Sequence, residues 1–78
     1  MAYINASPTW SAGVTLGSDE DWQNDSAVAV RLSRKALSGT ARGGVLLRPG
    51  QVYPFNAGDT VYCRCETGAE AAIWREAL

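Results

Sequence analysis

The chain contains no histidine, so it lacks the side chain that most often serves as a general base or as a nitrogen ligand for metals. Its serines therefore have no histidine to activate them, and no Gly-x-Ser-x-Gly element is present. The glycine-containing segments also lack the spacing of a phosphate-binding or dinucleotide-binding loop. We therefore predict no catalytic site, no cofactor and no enzymatic activity.

Cysteine is scarce, with Cys63 and Cys65 alone in the chain. Side chains at i and i+2 of a strand share a face, but the rise of about 6.5–7 Å between them reaches the limit for a disulfide. A structural zinc site needs four ligands, which one chain cannot supply, although three chains around an axis could. We predict two free thiols on the inward face of a strand, no metal site, and synthesis in a reducing cytoplasm.

Long apolar runs and blocks of like charge are also missing. No stretch of 18 apolar residues occurs and the first ten residues lack a basic run, so we expect neither a membrane partner nor an export signal. The net charge is −1, and the longest run of one sign is Asp19 to Asp21. Without clustered Lys and Arg, we expect no nucleic-acid partner.

The composition is that of a small globular domain. The chain has 78 residues, of which 46% are hydrophobic and 19% charged. A domain of this size buries a low fraction of its surface, so association with further copies can help to stabilise it. We expect one domain and a homo-oligomer.

Turn signals separate short alternating segments over most of the chain. Val28, Val30 and Leu32 alternate with polar or small residues, which is typical of a half-buried strand. Pro49 and Gly50 form the favoured centre of a type II turn, because proline fixes a negative φ and glycine accepts a positive one. Short strands are predicted on both sides of that turn, over Val45–Leu47 and residues 51–55.

Further strands are predicted on either side of this region. The sequence NAGD at residues 56–59 indicates another turn, and Val61, Cys63 and Cys65 then alternate with Tyr62, Arg64 and Glu66. Residues 9–14 indicate a weaker strand. About seven short strands separated by turns predict an all-β fold, a compact antiparallel β-sandwich or small barrel of six to eight strands.

The last ten residues are ambiguous. The sequence AEAAIWREAL has high helix propensity and a tolerable amphipathic stripe. However, Thr67 and Gly68 directly after a strand favour a hairpin return, and an isolated helix of this length is marginal. We predict a closing strand for residues 69–78, with a helix as the alternative.

Three segments of the chain, DWQNDSAVAVRLS, VLLRPGQVYPFNAGDTVYCRC and TGAEAAIWRE, resemble a recurrent small β protein encoded in the structural regions of tailed bacteriophages. Its members share a QN…V.VRL strand pair, an L.PG..Y.F hairpin and a TVYAR…G.A terminal hairpin. The resemblance covers residues 22–76. The chain departs from the pattern of this family at Cys63 and Cys65, where small or polar residues are commoner, and in its Ala/Glu-rich end.

The resemblance implies a structural virion protein that decorates the head or belongs to a head fibre, with the major capsid protein or another virion protein as partner. A tail, neck or fibre-attachment component is the alternative within that class. A cellular carbohydrate- or protein-binding β module is the alternative from another class.

Two groups of residues are candidate contacts with a partner. Residues 1–10 have no evident partner strand, so we expect an extended N-terminal arm whose Tyr3, Ile4 and Trp10 dock on a neighbour, ahead of a single β domain at residues 11–78. Tyr62 and Arg64 fall on the face opposite Cys63, and Tyr with Arg is typical of interface anchors. The alternative for Tyr62 is an exposed sheet position without a partner.

Overall fold

The computed structural model describes residues 2–68 and 70–78, which form eight β-strands and no helix. The strands are β1 (Ala2–Ala6), β2 (Val14–Thr15), β3 (Glu20–Asn24), β4 (Val30–Ser33), β5 (Val45–Leu47), β6 (Val52–Phe55), β7 (Thr60–Cys65) and β8 (Ala71–Ala77). Met1 of the predicted arm and Ala69 of the predicted closing strand lie outside the described residues. No helix long and apolar enough to cross a membrane occurs in the described part of the chain.

The strands form two antiparallel sheets of four. Sheet A has the order β1-β8-β3-β6, and sheet B has the order β2-β7-β4-β5. The two sheets enclose one apolar core between them. The predicted all-β antiparallel sandwich is therefore confirmed.

Most connections cross from one sheet to the other. Among the described strands, β4 and β5 alone are consecutive and paired with each other. The turn at Pro49 and Gly50 has the predicted type II geometry, with Gly50 at φ 84° and the Gln51 N–H donating to the Arg48 carbonyl at 3.0 Å. It leads from β5 in sheet B to β6 in sheet A, so the predicted hairpin at this turn is wrong.

The end of the chain is a strand, as predicted, and not a helix. However, β8 pairs with β1 and β3 and not with β7, so the hairpin return after Thr67 and Gly68 is also wrong. The partners of β8 are distant in sequence, and local turn signals do not report them.

The N-terminal residues are not an arm without a partner strand. Strand β1 pairs antiparallel with β8 over its whole length, from Ala2 opposite Arg75 to Ala6 opposite Ala71. Ala6 is buried in the core, so residues 2–6 are an edge of the sandwich. The strand predicted over residues 9–14 overlaps the observed β2 (Val14–Thr15) at Val14 alone.

Trp22 is the largest fully buried side chain of the core. Its ring meets Phe55 edge-on, with the ring centroids 5.7 Å apart. The thiols of Cys63 and Cys65 are buried in the same core, on the predicted inward face of β7. Because neighbouring side chains surround both sulfur atoms, they pack as small apolar groups.

Buried polar groups at the two ends of β3 are satisfied by hydrogen bonds. The Asn24 amide donates to the carbonyls of Val28 (2.8 Å) and Leu47 (2.9 Å), and its oxygen accepts from the Ser26 hydroxyl at 2.6 Å. At the other end, the Glu20 carboxylate accepts from Arg75 at 2.9 and 3.0 Å. These bonds allow polar side chains to remain buried at both ends of the strand.

Candidate protein-binding face

The outward side of sheet A carries a row of side chains that crosses all four strands. The registers place Tyr3 of β1 beside Trp74 of β8, Trp74 beside Gln23 of β3, and Gln23 beside Val52 of β6. Alternation along the strands turns these residues away from the core. Tyr3 is 60% exposed and Val52 is 48% exposed, so the row presents apolar surface to solvent.

Tyr3 and Trp74 form an aromatic pair held in one arrangement. Their ring centroids lie 4.8 Å apart with an interplanar angle of 63°, which is an edge-to-face contact. The Tyr3 hydroxyl donates to Asp25 Oδ2 at 2.7 Å, and the Trp74 indole N–H donates to Glu76 Oε1 at 3.4 Å. Because the pair is fixed by its own contacts, a partner that binds it has little side-chain freedom to restrict.

Two carboxylates oppose each other beside this aromatic pair. Asp21 of β3 lies directly opposite Glu76 of β8, and both side chains point outward. Among the described residues, neither carboxylate forms an ion pair. Like charges directly opposite each other on a sheet destabilise it, so this arrangement is unfavourable for folding alone.

We refer to the surface formed by Tyr3, Gln23, Trp74, Asp21 and Glu76 as the acidic-aromatic face. Asp25 lies at its edge, next to the Tyr3 hydroxyl. The hydrogen bond to Asp25, followed by the negative charge of that carboxylate, raises the pKa of Tyr3 above its ordinary value. The whole face is thus apolar at its centre and negatively charged around it.

The outward side of sheet B has a different composition. Arg31 of β4 lies opposite Arg64 of β7, and the carboxylate of Glu66 bridges the two guanidinium groups. The hydrogen bond from Arg31 lowers the pKa of Glu66 below its ordinary value. Arg64 also donates to the Pro8 carbonyl at 2.9 Å, which attaches the segment after β1 to sheet B. These contacts occupy the charged groups within the fold.

The structure divides the predicted arm residues between surface and interior. Tyr3 is on the acidic-aromatic face, whereas Ile4 points inward, half-buried against the core. Trp10 requires a correction, because its side chain is only 9% exposed. Its indole N–H donates to the Ala41 carbonyl at 2.7 Å, so it anchors the loop between β4 and β5 and does not face a neighbour.

The second predicted pair also changes its role. Arg64 is 7% exposed, so its predicted place on an open face is wrong; its contacts with Pro8 and Glu66 cover it. Tyr62 is half-buried, and its ring packs so closely on Gly13 that a Cβ there would lie 2.9 Å from ring atoms. Tyr62 therefore fills the outer side of sheet B beside the chain that enters β2.

Sequence reasoning missed Trp74, Asp21 and Glu76 as members of one surface. Trp74 alternates with Arg75 and Ile73, and Asp21 alternates with the buried Glu20 and Trp22. Alternation alone could have placed these three side chains outward. Their proximity could not be found in this way, because it depends on pairing between β3 and β8, which are some fifty positions apart.

The two thiols are free, as predicted, and both are buried. Burial raises the pKa of Cys63 above its ordinary value, and a hydrogen bond with Ser11 opposes that effect. A thiol of raised pKa is a weak nucleophile at neutral pH, so Cys63 contributes packing rather than reactivity. No group of three potential metal-ligating side chains occurs among residues 2–68 and 70–78.

The described residues enclose no pocket, and Tyr3 of the acidic-aromatic face is the most exposed large apolar side chain of the described strands. Comparison of the chain with protein-family models, with curated proteins and with solved structures gives no match.

Proposed function

We propose that the protein is a structural component of a tailed-bacteriophage virion that decorates the capsid by binding the major capsid protein or another virion protein. It acts by surface burial and by association with further copies, without catalysis or a cofactor. The observation that carries the binding role is the acidic-aromatic face. The virion setting is supported by the resemblance of residues 22–76 to small phage β proteins.

The aromatic pair supports a contact surface in two ways. Large aromatic side chains dominate the energy of protein interfaces, because they bury much area with few rotatable bonds. Tyr3 remains 60% exposed although the core holds other aromatic side chains at almost no exposure. An exposed ring fixed against Trp74 is suited to contact with a second protein.

The opposed carboxylates indicate the chemistry of that partner. A guanidinium or ammonium group placed between Asp21 and Glu76 relieves their repulsion and lies beside the electron-rich ring of Trp74, whose indole N–H donates to Glu76. Features that are unfavourable for folding are concentrated at functional sites in natural proteins. The partner surface is therefore expected to present an Arg or Lys side chain surrounded by apolar groups.

The binding role is tested by co-sedimentation with capsids of the phage that encodes the chain. Trp74→Ala removes the centre of the acidic-aromatic face and is expected to weaken capsid binding at least about tenfold, the usual scale for an interface anchor. Leu46→Ala is the matched control, since Leu46 is an exposed apolar residue (39%) on sheet B. It is expected to bind as the wild-type chain does.

The result also separates the alternatives. Equal binding of the Trp74→Ala and wild-type chains contradicts the role of this face. Absence of the wild-type chain from purified virions contradicts the virion setting. If the wild-type chain instead binds soluble oligosaccharides and the Trp74→Ala variant does not, the face belongs to a carbohydrate-binding module.

A further inference from the structure

The edge strand β1 lacks the features by which sheet edges usually avoid pairing with other chains. At the other edge of sheet A, β6 contains Pro54. At the edges of sheet B, β2 has two residues and β5 has three. Strand β1 has five residues, AYINA, with no charge and no proline. A long uncharged edge without proline is a template for pairing with a further strand.

The unpaired backbone groups of β1 follow from the hydrogen-bond pattern of sheet A. The Asp25 N–H donates to the Ala72 carbonyl, so the backbone groups of Ala72 point toward β3. Successive residues of a strand point their N–H and C=O groups to opposite sides, and those of Ile73 therefore point toward β1. Ile73 lies opposite Ile4, so Ile4 bonds to β8.

By the same alternation, the N–H and C=O groups of Tyr3 and Asn5 point to the open edge of the sheet. The other edge of sheet A follows this rule. The Asn24 N–H donates to the Gln51 carbonyl, which turns the backbone of Pro54, three positions later, to the open side. Proline is tolerated at such a position because it has no N–H to leave unpaired.

We propose that β1 pairs antiparallel with β1 of a second copy of this chain, about a two-fold axis at Ile4. In this register Tyr3 lies opposite Asn5 of the second copy, and Asn5 lies opposite its Tyr3. All four open backbone groups of each strand are then used, in four inter-chain hydrogen bonds. The two A sheets join into one continuous sheet of eight strands.

The side chains of β1 fit this register. The half-buried side chain of Ile4 meets its equivalent on the core side of the sheet and loses further apolar surface to water. On the outer side, the exposed Asn5 meets the exposed Tyr3 of the second copy. No charge of β1 is buried or opposed by this contact.

The proposal deepens the association included in the proposed function, and it places the two acidic-aromatic faces on the same side of the joined sheet. The two copies of Tyr3 are then diagonal neighbours across the new strand pair, about 7–8 Å apart. A capsid or other partner with repeated basic sites can engage both faces at once, which strengthens binding through effective concentration.

The test removes one backbone N–H on the open edge of β1 and leaves the hydrogen bonds between β1 and β8 in place. Asn5→Pro removes an N–H on the open side, whereas Asn5→Ala removes the same side chain and keeps that N–H. In a concentration series by sedimentation velocity, the wild-type and Asn5→Ala chains are expected at twice the monomer mass of 8.3 kDa. Asn5→Pro removes two inter-chain bonds per dimer and is expected to weaken dimerisation at least about a hundredfold.

A second measurement checks the register and does not depend on the proline variant. The two-fold axis makes Ile4 and its equivalent a non-hydrogen-bonded pair with Cα atoms about 4.5 Å apart, within the range for a disulfide. Under oxidation, Ile4→Cys is expected to form a covalent dimer. Asn5→Cys is expected to form little covalent dimer, because position 5 of the second copy is not directly opposite. It lies two positions away along the second β1.

A wild-type chain that remains monomeric, or an Asn5→Pro variant that dimerises as the wild type does, overturns the proposal. Failure of Ile4→Cys to cross-link overturns the register. Capsid co-sedimentation is measured separately, so a monomeric chain that still binds capsids contradicts the strand pairing and the association with further copies, and leaves the capsid-binding role standing.

Discussion

At the scale of single residues, Asn24 shows how a polar side chain can support a small apolar core. It is fully buried, and it donates to the carbonyls of Val28 and Leu47 while accepting from Ser26. The bond to Leu47 connects β3 of sheet A with β5 of sheet B. One amide thus contributes to the association of the two sheets.

Asn24→Leu keeps the branched arrangement of side-chain heavy atoms and removes all of these hydrogen bonds. We expect the free energy of unfolding, measured by urea denaturation, to fall by about 1–3 kcal/mol, because buried polar partners lose their bonds. Gln23→Leu is the matched control, since the Gln23 amide makes only a long 3.4 Å contact with the Gly50 carbonyl. Equal stability of the two variants would show that Asn24 is dispensable.

Tyr3 provides a second prediction at this scale. Its pKa is raised above 10.0, chiefly by the hydrogen bond to Asp25, so the protonated hydroxyl is favoured in the folded state. The contribution of this contact to stability is present below about pH 10 and is lost as the pH rises through the folded pKa. Asp25→Asn should therefore lower the pKa of Tyr3 toward its ordinary value.

The measurement is a phenolate absorbance titration from which the curve of the corresponding Tyr3→Phe chain is subtracted. This subtraction removes the signals of Tyr53 and Tyr62. If the titration midpoint of Tyr3 is the same in the wild-type and Asp25→Asn chains, the hydrogen bond between Tyr3 and Asp25 does not exist in solution.

At the scale of elements, the turn between β5 and β6 determines where the chain passes from one sheet to the other. Gly50 has a φ of 84°, a region that a β-branched side chain strongly disfavours. We expect Gly50→Val to lower the free energy of unfolding by about 1–3 kcal/mol, measured by thermal or urea denaturation.

Gly17→Val is the control for this substitution. Gly17 is exposed, its φ is not positive, and nothing lies within 4 Å of a Cβ added there. We expect its stability to remain within about 0.5 kcal/mol of the wild type. If the two variants are equally stable, the type II turn at Pro49 and Gly50 is not required by the fold.

The elements also show how far the sequence predicts this fold. The turns at Gly50 and Gly58, the inward face of β7 and the all-β class follow from local signals, and each is present in the structure. Strand pairing does not follow from local signals. The strands on either side of Pro49 and Gly50 belong to different sheets, although the same dipeptide can join a hairpin.

The candidate site is harder to predict from the sequence than the fold is, because it too depends on which strands pair. Tyr3 was predicted as a contact residue, but its neighbour Trp74 is provided by the pairing of β1 with β8. The predicted contacts Trp10 and Arg64 are buried because backbone carbonyls of Ala41 and Pro8 accept from their side chains. Such bonds depend on tertiary structure, which composition and alternation do not specify.

At the scale of the whole molecule, the two sheets differ in charge. The strands of sheet A contain Glu20, Asp21 and Glu76 with Arg75 as their single cation, whereas the strands of sheet B contain Arg31 and Arg64 and no carboxylate. The outward side of sheet A is therefore acidic, with Asp21 and Glu76 outside any ion pair among the described residues, whereas Glu66 compensates the two arginines of sheet B. In the proposed function, such a distribution favours the approach of a basic partner surface to sheet A.

We propose that Asp21 and Glu76 serve binding at a cost to folding. Asp21→Asn with Glu76→Gln removes the opposed charges and keeps the shape of both side chains. We expect the free energy of unfolding to stay the same or to rise by up to about 1 kcal/mol, since the repulsion is relieved. Glu70→Gln is the control for the loss of a negative charge outside the acidic-aromatic face, because Glu70 is an exposed residue before β8.

The most direct measurement is therefore capsid co-sedimentation of this double variant, with urea denaturation of the same preparation. We expect the double variant to bind capsids at least about tenfold more weakly than the wild-type and Glu70→Gln chains do, while being no less stable. If the double variant binds capsids with wild-type affinity, the acidic-aromatic face is not the surface that meets the partner.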